Sequence, residues 1–432
     1  MSLINTALEE LLDTTLDSRT KGVPLGETVT VRDIGTRGWH VARGDLALPV
    51  TTLSADALSH NIETMAEYCR RHGALFAPHG KTTMAPQLFW RQLDAGAWAM
   101  TAATPTQASV MRRFGVPRII VANEITDAGA LRWAAREMAR DDDFELHFMV
   151  DNPDAVALSD AVIEDEQVSR PMRVFLEVGV TGGRCGVRNA VQAKAVAHAV
   201  AESTHLQLLG VESYEGLVTS GATADDLADV DRHLTTVRDV LIALDRQGFF
   251  PGDEEIYVTA GGSSYFDRVV SVLGDWTDYH RPVSLILRSG CYLSHDLGKY
   301  HQLSPLDGRR PIDEDLTLIN ALEAWATVLS VPEPDIAILS SGKRDVAHDL
   351  SLPTPLRVHH RDGTTTDLRD TSAEIYKLMD QHAFMRAPGV TIMPGDIVSM
   401  GLSHPCTAFD KCSFIPVIDK DTKVVDAVLT YF

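Results

Sequence analysis

From about residue 54 to residue 290 the chain alternates short apolar runs with amphipathic segments, and this alternation limits what it can fold into. The runs are "ALFAP" (74–78), "AWAMTA" (97–102), "RIIVA" (118–122), "ELHFMV" (145–150), "MRVFLEV" (172–178), "LQLLGVES" (206–213), "EIYVTAG" (255–261) and "VSLILRSG" (283–290). Helical patterns such as "NAVQAKAVAHAVAES" lie between them. Continuous apolar strands alternating with helices imply a parallel sheet covered by those helices. Eight such units in roughly 235 residues match the length of a closed (β/α)8 TIM-like barrel. A doubly wound open sheet is the other architecture, because periodicity cannot show closure.

After residue 290 the pattern changes to short strand-like runs broken by Pro, Gly and Asp, including "TPLRVHHRDG", "DIVSMGLSHPC" and "SFIPVIDKDTKVVDAVLT". They predict a second, mostly β domain. "ETVTVRDIG" and "GWHVARGDLALPVTTL" are also strand-like and are expected to join it. The expected organisation is therefore an N-terminal segment (1–50) contributing to the β domain, a barrel (51–290) and a C-terminal β domain (291–432).

A formal charge of −21 argues against nucleic acid or an anionic membrane as partner. No run of about 18 apolar residues is present, so no membrane span is expected. Five cysteines without framework spacing fit reduced thiols and a cytoplasmic protein.

In a barrel the loops after the strands build the site. Lys81 follows the first strand; "GVTGGRCGV" with Arg184 follows the fifth, and "SYEG" with Tyr214 the sixth. "AGGSSYF", with Gly261, Gly262 and Ser263, and "RSGCY", with Gly290, Cys291 and Tyr292, follow the last two. Paired small-residue turns there offer backbone N–H groups and hydroxyls to a dianion, although most such turns only reverse the chain. A desolvated lysine opposite them can form a Schiff base, and the set points to pyridoxal 5'-phosphate (PLP). The plain alternative is a surface lysine in a loop. His404 and Cys406 stand two apart in a strand-like stretch, so both side chains are expected on one face, where imidazole plus thiolate suits Zn2+. Cys412 is read as packing.

The motifs "PHGKTT", "GVTGGRCGV", "SYEG", "AGGSS", "RSGCYLSHD" and "PGDIVSMGLSHPCTAFDK" occur in an order that resembles the D-serine dehydratase/D-threonine aldolase family. These are fold-type III PLP enzymes with an alanine racemase-like barrel, and the resemblance runs from about residue 45 to the C-terminus. It implies Lys81 as the PLP lysine, Arg184 beside the ring hydroxyl and Tyr214 near the pyridine nitrogen. It implies Gly261, Gly262, Ser263, Gly290 and Cys291 around the phosphate, Tyr292 near the cofactor, and a homodimer. His404 and Cys406 match the zinc pair of the dehydratases; the aldolases usually carry Asp at the second position and use Mn2+ or Mg2+. The resemblance thus implies a PLP- and zinc-dependent dehydratase of a D-3-hydroxy amino acid such as D-serine, with an aldolase giving glycine and an aldehyde as the alternative. Departures fall near the expected pocket: Gly80 before the lysine, Cys412 in "DKC", and Ser and His in "CYLSHD". His79 is expected to hydrogen-bond within its turn rather than to act in catalysis, and Lys343 and Asp345 either to contact substrate across a dimer interface or to form a structural turn.

Overall fold

The computed structural model describes residues 3–166, 168–311 and 314–432. Contacts divide the chain into two units, one comprising 65–81 and 89–290, the other 1–64, 82–88 and 291–432.

The first unit is the barrel. Its strands are β1 (Leu75–Phe76), β2 (Met100–Ala102), β3 (Arg118–Glu124), β4 (Glu145–Val150), β5 (Met172–Glu177), β6 (Leu206–Glu212), β7 (Ile256–Ala260) and β8 (Val283–Leu287). All neighbours pair in parallel, in the order β1-β8-β7-β6-β5-β4-β3-β2. A parallel bridge between His79 and Thr101 joins the two ends, so the sheet is closed and not doubly wound. The interior is a packed core: Ala77, Ala99, Ile120, Met149, Phe175, Leu209 and Ile286 form one buried cluster, with Leu75 and Tyr257 against it. The crossover helices start where short polar side chains satisfy free backbone N–H groups. Asp127, Asn152 and Asn189 cap three of them, and Thr223 with Asp226 forms a capping box at a fourth.

The second unit holds an antiparallel sheet. Its strands are β9 (Leu322–Glu333), β10 (Ile336–Leu339), β11 (Thr354–His359), β12 (Thr365–Asp367), β13 (Glu374–Leu378), β14 (Ala383–Arg386), β15 (Ile397–Gly401), β16 (Phe414–Ile418) and β17 (Val424–Leu429). The order is β12-β11-β15-β9-β10-β14-β13, and the strand Val50–Ser54 pairs with both β9 and β16. Only part of the N-terminal expectation appears as strand. In "ETVTVRDIG" just Val29–Thr30 is extended, and Val31–Thr36 turns into a 3-10 helix that buries Val31 and Ile34. Alternating apolar positions four residues long fit either form, and burial of these two on one side decides it. Among the described residues no helix is long and apolar enough to cross a membrane.

Candidate active site

In the barrel unit, β1 is short, and the chain leaves it through Pro78, His79 and Gly80 into a 3-10 turn carrying Lys81. Gly80 answers one departure noted in the sequence. A Cβ there would lie 2.5 Å from the terminal methyl of Met111 and 3.0 Å from Phe89, so a larger residue would have to push these side chains aside. Lys81 lines a cavity together with His79, Asn123, Arg184, Tyr214, Gly262 and Arg288. Thus Lys81, Arg184, Tyr214 and Gly262, named from four separate loops, meet at one opening. The Arg184 guanidinium stacks on the Tyr214 ring at 4.8 Å.

His79 is buried, and its Nδ1 lies 3.2 Å from the Thr101 carbonyl oxygen, the neighbouring strand rather than its own turn. Burial, followed by the positive charges of Lys81 and Arg288, holds its imidazole neutral, well below the usual histidine range. The turns after β7 and β8 adjoin, since Ser289 Oγ donates to the carbonyl oxygens of Gly261 and Ser263. Gly261 has φ +78°, which only glycine adopts without strain. The amide of Gly261 and the Ser263 hydroxyl both donate to Glu215, a buried carboxylate that sequence reasoning passed over. Gly290 is buried beside Ser289.

Two further residues escaped the motif reading, Arg288 at the start of "RSGCY" and Glu212 at the end of β6. Arg288 is 2% exposed and donates to Glu212 and to the Ser213 carbonyl oxygen, leaving its Nε without a hydrogen-bond partner. Burial, against the opposing pull of Arg288, pushes the Glu212 carboxyl up to about 7. Glu177, at the end of β5, is pushed up to about 8 by burial and then by Glu124. A carboxyl raised above its ordinary 4.5 favours the fold below that pH, and the benefit is lost as pH rises through about 8. Glu177→Gln is therefore expected to stabilise the protein at alkaline pH by about 1–3 kcal/mol and to change little near pH ~4. Thermal unfolding across that range checks it: equal pH slopes for variant and wild type would contradict the assignment.

A pocket with an amine, two guanidinium groups and glycine turns suits a phosphorylated aldehyde: the cations match its charge, and the orphaned Arg288 Nε seeks an acceptor. PLP fits these residues.

In the other unit, His404 and Cys406 follow β15, but not as a strand. Pro405 starts a short helix, Pro405–Phe409, with His404 as its N-cap, because proline at the first helical position favours helix and cannot extend a ladder. The strand-face reasoning fails, yet the two groups still meet, and the ring of His404 is hydrogen-bonded to Cys406. That bond, with Asp349 adding to it, pushes the imidazole up to about 9. Asp349 Oδ2 sits 2.5 Å from His404 Nδ1, and Thr407 Oγ1 donates to the other carboxylate oxygen. A carboxylate behind a histidine orients it as a metal ligand, so the donor set fits a borderline ion such as Zn2+. Among the described residues no third His, Cys, Asp or Glu completes a set of three around this pair. Cys291 Sγ lies 3.7 Å from Cys406 Sγ, with Thr82 Oγ1 at 3.4 Å from the latter. Tyr292 is 1% exposed, and Cys412 is buried. Asp345 accepts from the Gly342 amide and pairs with Lys21, which gives it a structural place in its turn.

The family described as "Alanine racemase, N-terminal domain" matches residues 53–276, more than half of the chain. The chain belongs to that family. Residues 321–418 also match "Putative serine dehydratase domain". A curated relative, the 3-hydroxy-D-aspartate aldolase of Paracoccus denitrificans (strain Pd 1222), is 24% identical over 72% of this chain and 75% of its own length. Among solved structures, the D-threonine aldolase from Filomicrobium marinum superimposes with a TM-score of 0.73 at 20% identity, covering 91% of this chain and 96% of that one. The D-threo-3-hydroxyaspartate dehydratase from Delftia sp. HT23 gives 0.68 at 18%, covering 89% and 97%. Dehydratases of that name have also been solved with alanine for a histidine, and, in a metal-free form, with alanine for a cysteine two positions further on. This alanine racemase-family chain thus has the fold-type III architecture, and its relatives are lyases.

Proposed function

We propose that this alanine racemase-family protein is a PLP- and zinc-dependent dehydratase of a D-3-hydroxy amino acid such as D-serine, releasing a 2-oxo acid and ammonia. The observation that carries the reading is the His404–Cys406 pair backed by Asp349. A thiolate in the pair selects a softer ion than the carboxylate of an Asp would. The same H-x-C spacing separates the two residues replaced in the solved dehydratases.

PLP held by Lys81 supplies an electron sink that makes the substrate's Cα–H acidic. Zn2+ at His404 and Cys406 supplies a Lewis acid for the β-hydroxyl, making hydroxide a better leaving group. The chain's own groups do the rest. Lys81 Nζ is the base that takes the Cα proton. Arg184 and Arg288 hold negative charge at the pocket. Tyr214, stacked under Arg184, presents a neutral ring near the pyridine nitrogen, so it would not hold that nitrogen protonated as a carboxylate does. Neutral His79 lines the cavity without adding charge. Gly261, Gly262, Ser263, Gly290 and Cys291 are assigned to the phosphate side, where the Gly261 amide and the Ser263 hydroxyl would have to leave Glu215 to reach a phosphate, and Tyr292 to the cofactor's surroundings. The protein is proposed to work as a cytoplasmic homodimer.

The aldolase reading is favoured by the curated relatives, which include a 3-hydroxy-D-aspartate aldolase and a D-threonine aldolase. Incubation with D-serine, D-threonine and D-threo-3-hydroxyaspartate, with ammonia and glycine measured separately, decides between them. Ammonia with a 2-oxo acid is the expected result. Glycine plus aldehyde without ammonia would replace the dehydratase by the aldolase.

A further inference from the structure

Two cysteines meet beside His404, and the candidate zinc pair uses only one of them. Cys291 follows β8 in "RSGCY", and Cys406 stands on the short helix Pro405–Phe409. Both belong to the second unit, 115 residues apart in the chain. Their sulfurs are 3.7 Å apart. Thr82 Oγ1 touches both, at 3.4 Å from Cys406 Sγ and 4.0 Å from Cys291 Sγ. The two thiols are half-buried, whereas Cys69 and Cys412 are buried. At this separation the pair makes at most a weak S–H···S bond. A disulfide needs about 2.05 Å, so the sulfurs have roughly 1.7 Å left to close. Each can travel on its own Cα–Cβ bond, and the Thr82 hydroxyl is a side-chain contact that can give way.

We propose that Cys291 and Cys406 are joined in a disulfide when the protein meets hydrogen peroxide, and that this bond and bound zinc exclude one another. The inference rests on the reading of His404 and Cys406 as the zinc pair. Cys406 is the attacking sulfur, because a metal ligand is a thiolate and the thiolate is the nucleophile. Its lone pair attacks one peroxide oxygen, the O–O bond breaks, and hydroxide leaves and takes up a proton as water. Cys406 then carries a sulfenic acid. The Cys291 sulfur attacks that sulfur and the S–O bond breaks. The departing hydroxide takes the Cys291 proton as a second water. Two thiols are thus oxidised while one peroxide is reduced. The oxidised Cys406 has no thiolate to offer, His404 is left as a single ligand, and the ion is released. Cys291 also has a protective effect, since it halts oxidation at a bond that thiols can reduce, before the irreversible sulfinic acid.

The test uses the full-length protein loaded with PLP and Zn2+, treated with hydrogen peroxide and then alkylated. Its readouts are thiols and zinc rather than turnover, because Cys291 also lies in the turn assigned to the phosphate. Wild type is expected to lose two of its five thiols and to release its zinc. It should yield a joined Cys291–Cys406 peptide pair, about 2 Da lighter than the two reduced peptides together. Dithiothreitol with added Zn2+ should restore the thiols and the metal. Cys291→Ser should give no joined pair, and dimedone should trap its Cys406 as the sulfenic acid. Zinc-stripped wild type should form the same pair, so failure of His404 and Cys406 as a zinc site shows as a disulfide formed with no zinc released. Cys291 and Cys406 recovered as separate peptides after peroxide, from loaded and stripped protein alike, would overturn the disulfide. Zinc retained by protein that carries the bond would overturn the exclusion.

Discussion

Replacing Lys81 by alanine is expected to abolish catalysis, with kcat/KM falling by about 10^3-fold or more, and to remove the absorbance near ~420 nm of PLP held as a Schiff base. Lys81 is the amine in a cavity whose other polar side chains are two guanidinium groups, one imidazole, one amide and one phenol. No guanidinium can replace it, since Arg stays protonated and is a poor nucleophile. The turn that carries Lys81 is packed through Gly80 against Met111 and Phe89, so loss of the side chain should leave the fold intact. Far-UV circular dichroism of the K81A protein should match wild type, and borohydride should no longer attach the cofactor. Wild-type protein that stays colourless after soaking in PLP, or K81A protein that keeps the absorbance, would remove the basis for the whole reading.

Removing the sulfur at position 406 should separate the two halves of the chemistry. Cys406→Ser is expected to keep the visible absorbance, since no cofactor-pocket residue is altered, while losing zinc and lowering kcat for ammonia release by roughly 10^2–10^4-fold. Cys406→Asp should move metal preference from Zn2+ toward Mn2+ or Mg2+, because a carboxylate is a harder ligand than a thiolate. Asp349 supports both expectations by fixing the His404 ring through Nδ1. Undiminished ammonia release after complete zinc removal would leave His404 and Cys406 as packing residues.

The sites were legible to different depths. Lys81, Arg184, Tyr214 and Gly262 could be named because each follows a strand, and a closed barrel gathers the ends of its strands at one face. Glu215, Arg288 and Glu212 were not: Arg288 pairs with Glu212 and Glu215 accepts from Gly261 and Ser263, and such long-range partners leave no trace in the linear order. Asp349 was missed for the same reason: 55 residues separate it from His404.

What the sequence determined by itself was the class of fold. Eight apolar runs with polar-capped helices between them can bury their side chains only as a helix-covered parallel sheet, and that constraint is local and periodic. Closure was settled elsewhere, by the bridge between His79 and Thr101. The helical turn at Pro405 and the pairing of His404 with Asp349 also arise only in three dimensions. Hydrogen bonds and charge pairs between residues far apart in the chain depend on where the folded backbone puts them, and no periodicity encodes that.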